Sequence, residues 1–230
     1  MAKSVFHFIP NTLTCLNLFM GCVATVFAFG GNYEWALLCI IGSAVFDFFD
    51  GMAARLLQAH SPIGKDLDSL ADDVSFGVAP SAILYSLLEE MCLFDLPWLP
   101  YAAFLISVFS ALRLAKFNND TRQTTSFIGL PVPANALFWA SLVVGFHDSL
   151  CTWHPLLLVA LMLCFCYLLV SELPMFSLKF KSLSWRDNRV SFLFLLVCLP
   201  LLLLGVRALA AIVLWYILLS VVVALGRRKS

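Results

Sequence analysis

The sequence predicts an all-α integral membrane protein, a polytopic bundle of about eight transmembrane helices, and three observations carry that expectation. The 230 residues are 62% hydrophobic and only 12% charged, with a mean hydropathy of +0.95, outside the balance of a soluble globular domain. Apolar stretches of spanning length recur along the chain, punctuated by Pro, Gly and charges. The basic residues sort almost entirely to one side of those stretches, as they do in cytoplasmic loops.

Residues 1–10 carry Lys3, His7 and Pro10 ahead of the first span and are expected either as a short interfacial helix or as an ordinary frayed end. Lys3 followed by an apolar run resembles a signal peptide. The run is longer than a usual signal-peptide core and no small-residue cleavage site ends it, so the segment is expected to be retained. The first span covers 12–30 and the second 34–57, the latter carrying Asp47 and Asp50. The third, 67–89, carries Asp68 and Asp72, and the fourth, 97–117, has Arg113, Lys116 and Arg122 crowded about its cytosolic end. The fifth, 132–147, is entered through Pro131 and Pro133, where proline is tolerated and rigidifies a turn. After the sixth, 154–171, come 190–205 and 207–226, separated only by Gly205 and Arg207, so that two spans or one long interrupted hairpin would fit.

With an inside N-terminus, Lys3, Arg55, Lys65, Arg113, Lys116, Arg122, Lys179, Lys181, Arg186, Arg189, Arg227, Arg228 and Lys229 share one side and Arg207 alone lies opposite. Both termini are therefore expected in the cytoplasm. Glu34, Glu89, Glu90, Asp95 and Asp148 collect on the outer side, so the formal net charge of +0 conceals a strong asymmetry. The 8 cysteines include no C-x-x-C pair and no His at zinc-ligand spacing, so no cysteine metal site is expected. Cys92 and Cys151, both on the expected outer face, could pair. Low-complexity and nucleic-acid-binding signals are absent, and no nucleic-acid partner is expected.

The stretch FDFFDGMAARLLQAHSPIGKDLDSLAD sets four carboxylates inside two otherwise apolar segments. A charge at that depth costs at least a few kcal/mol unless compensated, and is a functional-site hypothesis by default. Asp47, Asp50, Gly51 and Ala54 fall at i, i+3, i+4 and i+7, and Gly64, Asp68 and Asp72 at i, i+4 and i+8, so each set lies along one helical face. Two acidic faces joined by a short turn can converge on one cationic centre. Carboxylates are hard oxygen ligands suited to Mg²⁺ or Mn²⁺. One divalent ion would leave excess negative charge, so two metals are the economical reading, and two metals suit phosphoryl transfer. Gly51 and Ala54 let a bulky substrate approach the backbone, and Arg55 adds a fixed cation for phosphate. His60 is expected as a solvated loop residue, with a base or phosphate contact as the alternative, and Asp66 and Asp73 lie off the main face.

Asp47, Asp50, Gly51, Ala54, Arg55, Gly64, Asp68 and Asp72 reproduce D-x-x-D-G-x-x-A-R-x8-G-x3-D-x3-D without a departure. This resembles the signature of the CDP-alcohol phosphotransferases, membrane enzymes that move a phosphatidyl-type group from a CDP-linked donor to an alcohol and release CMP. The resemblance implies that Asp47, Asp50, Asp68 and Asp72 are the metal carboxylates, with Asp72 also the candidate base, and that Gly51, Ala54, Arg55 and Gly64 bind the CDP-diacylglycerol donor. It also implies a homodimer and a single integral membrane catalytic domain over 1–230, with a six-span core at 12–171 and an added helix pair at 190–226. SFGVAP at 75–80, RLAKFN at 113–118, FIGLPVPA at 127–134 and SELPMFSLKFK at 171–181 are similar to segments of the membrane-embedded phosphatidylserine synthases. That similarity implies L-serine as acceptor and a bacterial cytoplasmic membrane. Arg113, Asn118 and Arg122 are the candidate serine contacts, since a serine carboxylate needs a cation, with simple obedience to the positive-inside rule as the alternative reading of the arginines.

Two rivals stay open. The same chemistry could serve another alcohol, glycerol 3-phosphate or inositol, although a phosphorylated acceptor would want a tighter cluster of cations. A cation transporter would instead use the carboxylates as a pathway, but it predicts polar residues continuing towards the outer face, and spans one, five, six, seven and eight have almost none in their interiors.

Overall fold

The computed structural model describes residues 8–59, 62–92, 96–120, 127–176 and 189–227. They form an all-α membrane protein: α1 (Phe8–Phe29), α2 (Tyr33–Leu56), α3 (Pro62–Asp72), α4 (Ala79–Met91), α5 (Leu105–Asn119), α6 (Val132–Leu150), α7 (Pro155–Val170), α8 (Arg189–Leu201) and α9 (Arg207–Arg227). A π-helical turn, Asp73–Val78, joins α3 to α4 as one rod, and a 3₁₀ turn, Leu99–Phe104, leads into α5. Phe8–Phe29, Tyr33–Leu56, Leu99–Asn119 and Arg207–Gly226 are each long and apolar enough to cross a membrane, while Pro155–Val170 and Arg189–Leu204 are shorter apolar helices. The remaining two rods fall short of that standard in different ways. The α3–α4 rod opens on acidic turns, and α6 starts at two prolines and ends on polar residues.

The buried seam of α1 is Pro10, Thr14, Asn17, Gly21, Ala24 and Ala28, steps of four and three that keep one stripe against α2. Its large apolar side chains, Phe19 and Val26 among them, point outward. This is the membrane arrangement, in which small and polar residues face the protein because lipid already satisfies the apolar ones. Gly21 shows why small is required: a Cβ there would lie 2.7 Å from the Cα of Ser75. The closeness of that crossing lets two hydroxyls reach one carbonyl, Ser43 Oγ donating to Asn17 O at 3.1 Å and Ser75 Oγ at 2.9 Å.

The π turn has a local cause in Pro80, which offers no N–H to the Phe76 carbonyl and whose ring obstructs the regular path. Such turns widen a helix by one residue and recur at functional sites; this one begins directly after Asp72. Deeper in the bundle Phe138 stacks on Phe165 with ring centroids 4.1 Å apart, and both adjoin the fully buried Trp139, joining α6 to α7. A two-residue antiparallel ladder, β1 (Phe127–Ile128) with β2 (Pro174–Met175), ties the entry of α6 to the exit of α7. This small ladder is the one departure from all-helical structure among the described residues.

At the C-terminal end the chain forms two helices that reverse on one another. Pro200 and a 3₁₀ turn, Leu202–Leu204, end α8, and Gly205 at φ +60 reverses the chain into α9. α9 packs on α6 and α8 packs on α9. Cys92 and Cys151, which could pair, do not: both are free thiols, one buried at the end of its rod and the other exposed. The expected interfacial segment up to His7, and His60, Asp95, Arg122, Lys179, Lys181 and Arg186, lie outside the described residues.

Candidate active site

Asp47 and Asp50 sit one turn apart near the end of α2, and Asp68 and Asp72 one turn apart on α3. The fold turns the two acidic faces together. Carboxylate oxygens of Asp47, Asp50 and Asp68 all lie within 4.8 Å of one another, and Asp72, a turn further along, lies within their electrostatic reach. Asp72 is held apart by its own partner, accepting a hydrogen bond from Asn17 Nδ2 at 3.2 Å. Asp50 Oδ2 accepts one from Thr14 Oγ1 at 2.7 Å. Asp68 Oδ1 is buried with no partner among the described residues.

That donor set fits hard divalent cations. It offers oxygen alone, with neither imidazole nor thiolate, and an unpartnered buried carboxylate oxygen is the group a cation would satisfy. Three carboxylates packed this closely repel one another strongly unless positive charge enters. Thr14 and Asn17 are the supporting groups that the spacing argument missed. They were detectable, because Thr14 and Asn17 are polar residues three apart in a mostly apolar span, on the face that continues to Gly21.

Beside the cluster lies a cavity of about 830 Å³ walled by Gly51, Ala54, Arg55 and Gly64 as well as Asp50 and Asp68. All four residues expected to meet the donor therefore border one space adjoining the carboxylates. Arg55 is exposed, lines this cavity and donates from Nε to the Gly51 carbonyl at 2.9 Å. Lys65 also lines this cavity, with Nζ 3.0 Å from the Asn118 carbonyl.

Arg113 lies elsewhere, on α5, only 7% exposed, with its guanidinium 5.0 Å over the Phe117 ring and its Nε unpartnered. Asp72 and, from α9, Tyr216 act on it electrostatically. It borders a second cavity of about 350 Å³ together with Lys116, Ile128 and Ser171. Asn118 points another way: its Nδ2 donates to Ser69 Oγ at 2.7 Å and fastens α5 to α3. Arg122 lies outside the described residues. Asp66 is exposed, and Asp73 Oδ1 is buried without a partner next to Gly77.

Residues 7–176 match the sequence profile of the CDP-alcohol phosphatidyltransferase family. The chain is 37% identical over 168 residues to the CDP-diacylglycerol–serine O-phosphatidyltransferase of Bacillus subtilis (strain 168), covering 73% of this chain and 89% of that protein. It is 36% identical over 141 residues to the protein of the same name from Helicobacter pylori (strain J99), covering 60% of this chain and 57% of the relative, a little over half its length. A third relative, the archaetidylserine synthase of Methanothermobacter thermautotrophicus, is 32% identical over 154 residues, 64% of each chain.

Proposed function

The chain belongs to the CDP-alcohol phosphatidyltransferase family, and from that membership we propose that it transfers the phosphatidyl group of CDP-diacylglycerol to the hydroxyl of L-serine, giving phosphatidylserine and CMP. The observation that carries the reading is the convergence of Asp47, Asp50 and Asp68 beside a cavity walled by Gly51, Ala54, Arg55 and Gly64. Serine as acceptor is favoured by the names of the relatives, which share serine whether the lipid is diacylglycerol or archaetidyl.

Asp47, Asp50 and Asp68, with Asp72, would hold two ions of Mg²⁺ or Mn²⁺. When bound, such ions neutralise the diphosphate and favour departure of the phosphate of CMP. The protein's own residues do the rest. Gly51 and Ala54 admit the cytidine part of the donor to the α2 backbone, and Arg55 meets its phosphates with a fixed positive charge. Arg113 receives the serine carboxylate, its unpartnered Nε being a donor without an acceptor. Asp72, oriented by Asn17, takes the proton of the serine hydroxyl. The freed oxygen bonds to the phosphorus bearing the diacylglycerol, and the bond from that phosphorus to the CMP oxygen breaks. Among the described residues no serine, cysteine or histidine stands among the carboxylates as a nucleophile, which supports direct transfer. The test is to incubate purified protein with CDP-diacylglycerol and labelled serine, glycerol 3-phosphate and inositol in turn. Serine alone is expected to release CMP, and release with either rival in its place would overturn the assignment.

The reading places the active site and both termini in the cytosol of a bacterium, in its cytoplasmic membrane, with a homodimeric six-span core and α8–α9 as an addition. The family match ending at residue 176 supports that division. Orientation has its own test in a cysteine-less background. Lys65→Cys is expected to react with an impermeant maleimide only from the cytosolic side and Thr152→Cys only from the opposite side, and reversed labelling would invert the topology.

A further inference from the structure

At the opposite end of the bundle from the carboxylates, three side chains of different ligand chemistry meet. Glu90 closes α4, His147 lies in the last turn of α6 and Cys151 directly follows that helix, and one ligand atom of each falls within 4.8 Å of the other two. Tyr33, at the start of α2, touches this group, its hydroxyl 3.4 Å from Glu90 Oε2 and its ring centroid 5.5 Å from that of His147. Tyr33 and Asp50 are separated along α2 by about 25 Å of helix rise, so the group belongs to the far face of the membrane from the proposed catalytic centre.

We infer that Glu90, His147 and Cys151 form a binding site for a borderline divalent transition metal of the Zn²⁺ class, clasping the ends of α4 and α6. One oxygen, one imidazole nitrogen and one sulfur are the donors such ions accept, and three protein ligands leave a fourth position open. Glu90, His147 and Tyr33 also border a cavity of about 670 Å³. His147 Nε2 lies 3.1 Å from Glu90 Oε2, and its Nδ1 is 3.5 Å from Oδ1 of the fully exposed Asp148.

The backbone is shaped around the same point. α6 is kinked at Phe146, at φ −135 and ψ 21, immediately before His147. Arg207 supports the kink, its Nε donating to the Gly145 carbonyl at 2.7 Å and its guanidinium lying 4.9 Å over the Phe146 ring. That contact gives the one basic residue assigned to the outer side a task, which is to hold the last turn of α6 where His147 and Cys151 face Glu90. The site is independent of the proposed reaction, and metal entry displaces only the thiol proton of Cys151, released to solvent.

The test uses the full chain in detergent with Co²⁺ as the probe. Co²⁺ is expected to give a thiolate-to-cobalt charge-transfer absorption that Zn²⁺ abolishes, that His147→Ala and Cys151→Ser each lose, and that Cys92→Ser retains. Absence of the band, or its survival in both site variants, overturns the inference. A measurement on the unaltered chain guards against variants that fail to fold. Because the thiolate is the nucleophile and coordination occupies it, Zn²⁺ is expected to slow maleimide labelling of Cys151 roughly tenfold or more, read by peptide mass spectrometry. Labelling of Cys151 at the same rate with and without Zn²⁺ likewise overturns it.

Discussion

Asp47→Asn, Asp50→Asn and Asp68→Asn are each expected to reduce CMP release to background while the protein still elutes as a single species in detergent. Asparagine keeps the shape of the side chain and removes the charge, so packing survives and affinity for cations does not. Relieving repulsion among three carboxylates within 4.8 Å of one another should even raise the melting temperature of the metal-free protein. Activity should likewise vanish in EDTA and return on adding Mg²⁺ or Mn²⁺. Thr14→Val supplies the graded case. Thr14 supports Asp50 through a 2.7 Å hydrogen bond, and loss of an outer partner of a ligand typically costs about ten- to hundredfold in metal affinity or activity. The cation concentration giving half-maximal rate should therefore rise. Full turnover in EDTA, or an unimpaired Asp68→Asn enzyme, would defeat the metal assignment.

Arg113→Ala is expected to raise the serine concentration needed for half-maximal rate by about tenfold to a hundredfold, the equivalent of a charge-assisted hydrogen bond of roughly 1.5–3 kcal/mol. Dependence on CDP-diacylglycerol should change less, because Arg113 does not itself line the cavity proposed for the donor and reaches it only through Phe117, the ring beneath its guanidinium. Arg113→Lys keeps the charge without the planar fork and should recover only part of the loss. Rates are to be measured by varying serine and lipid donor separately. Equal weakening of both would mean that Arg113 acts by steadying Asp72, which lies within its electrostatic reach. An unchanged serine dependence would make it a determinant of topology alone, and the acceptor pocket would have to be sought elsewhere.

The sequence was most legible where one helix carried the signal. A face of period 3.6 is a local property, so Asp47 with Asp50, and Asp68 with Asp72, could be assigned to single faces from spacing alone. The small-residue face of Gly51 and Ala54 was read the same way, and both residues border the cavity beside the carboxylates. Helix ends were less legible. The third span was expected to start at 67, whereas α3 starts at Pro62 and runs through a π turn into α4. Proline is tolerated in a first turn and disruptive inside a helix, so Pro62 and Pro80 act differently although the residue is the same.

By itself the sequence determined the class of the protein, its helical stretches and the two acidic faces, because hydropathy and helical period are written in residues close together in the chain. Only the tertiary structure decided which of those faces meet. It set Thr14 and Asn17 against Asp50 and Asp72, turned Asn118 to Ser69 while Arg113 borders the second cavity, and left Cys92 and Cys151 unpaired. It also brought Glu90 from one rod to His147 and Cys151 at the end of another. The spacing of His147 and Cys151, four residues apart, was visible throughout, but two ligands on one helix make no site until a third arrives from another. The physical reason is common to all these cases. Contacts between helices depend on rotation, depth and close approach, which are fixed by packing at points such as Gly21 on Ser75 and Arg207 on Gly145, and no single span encodes them.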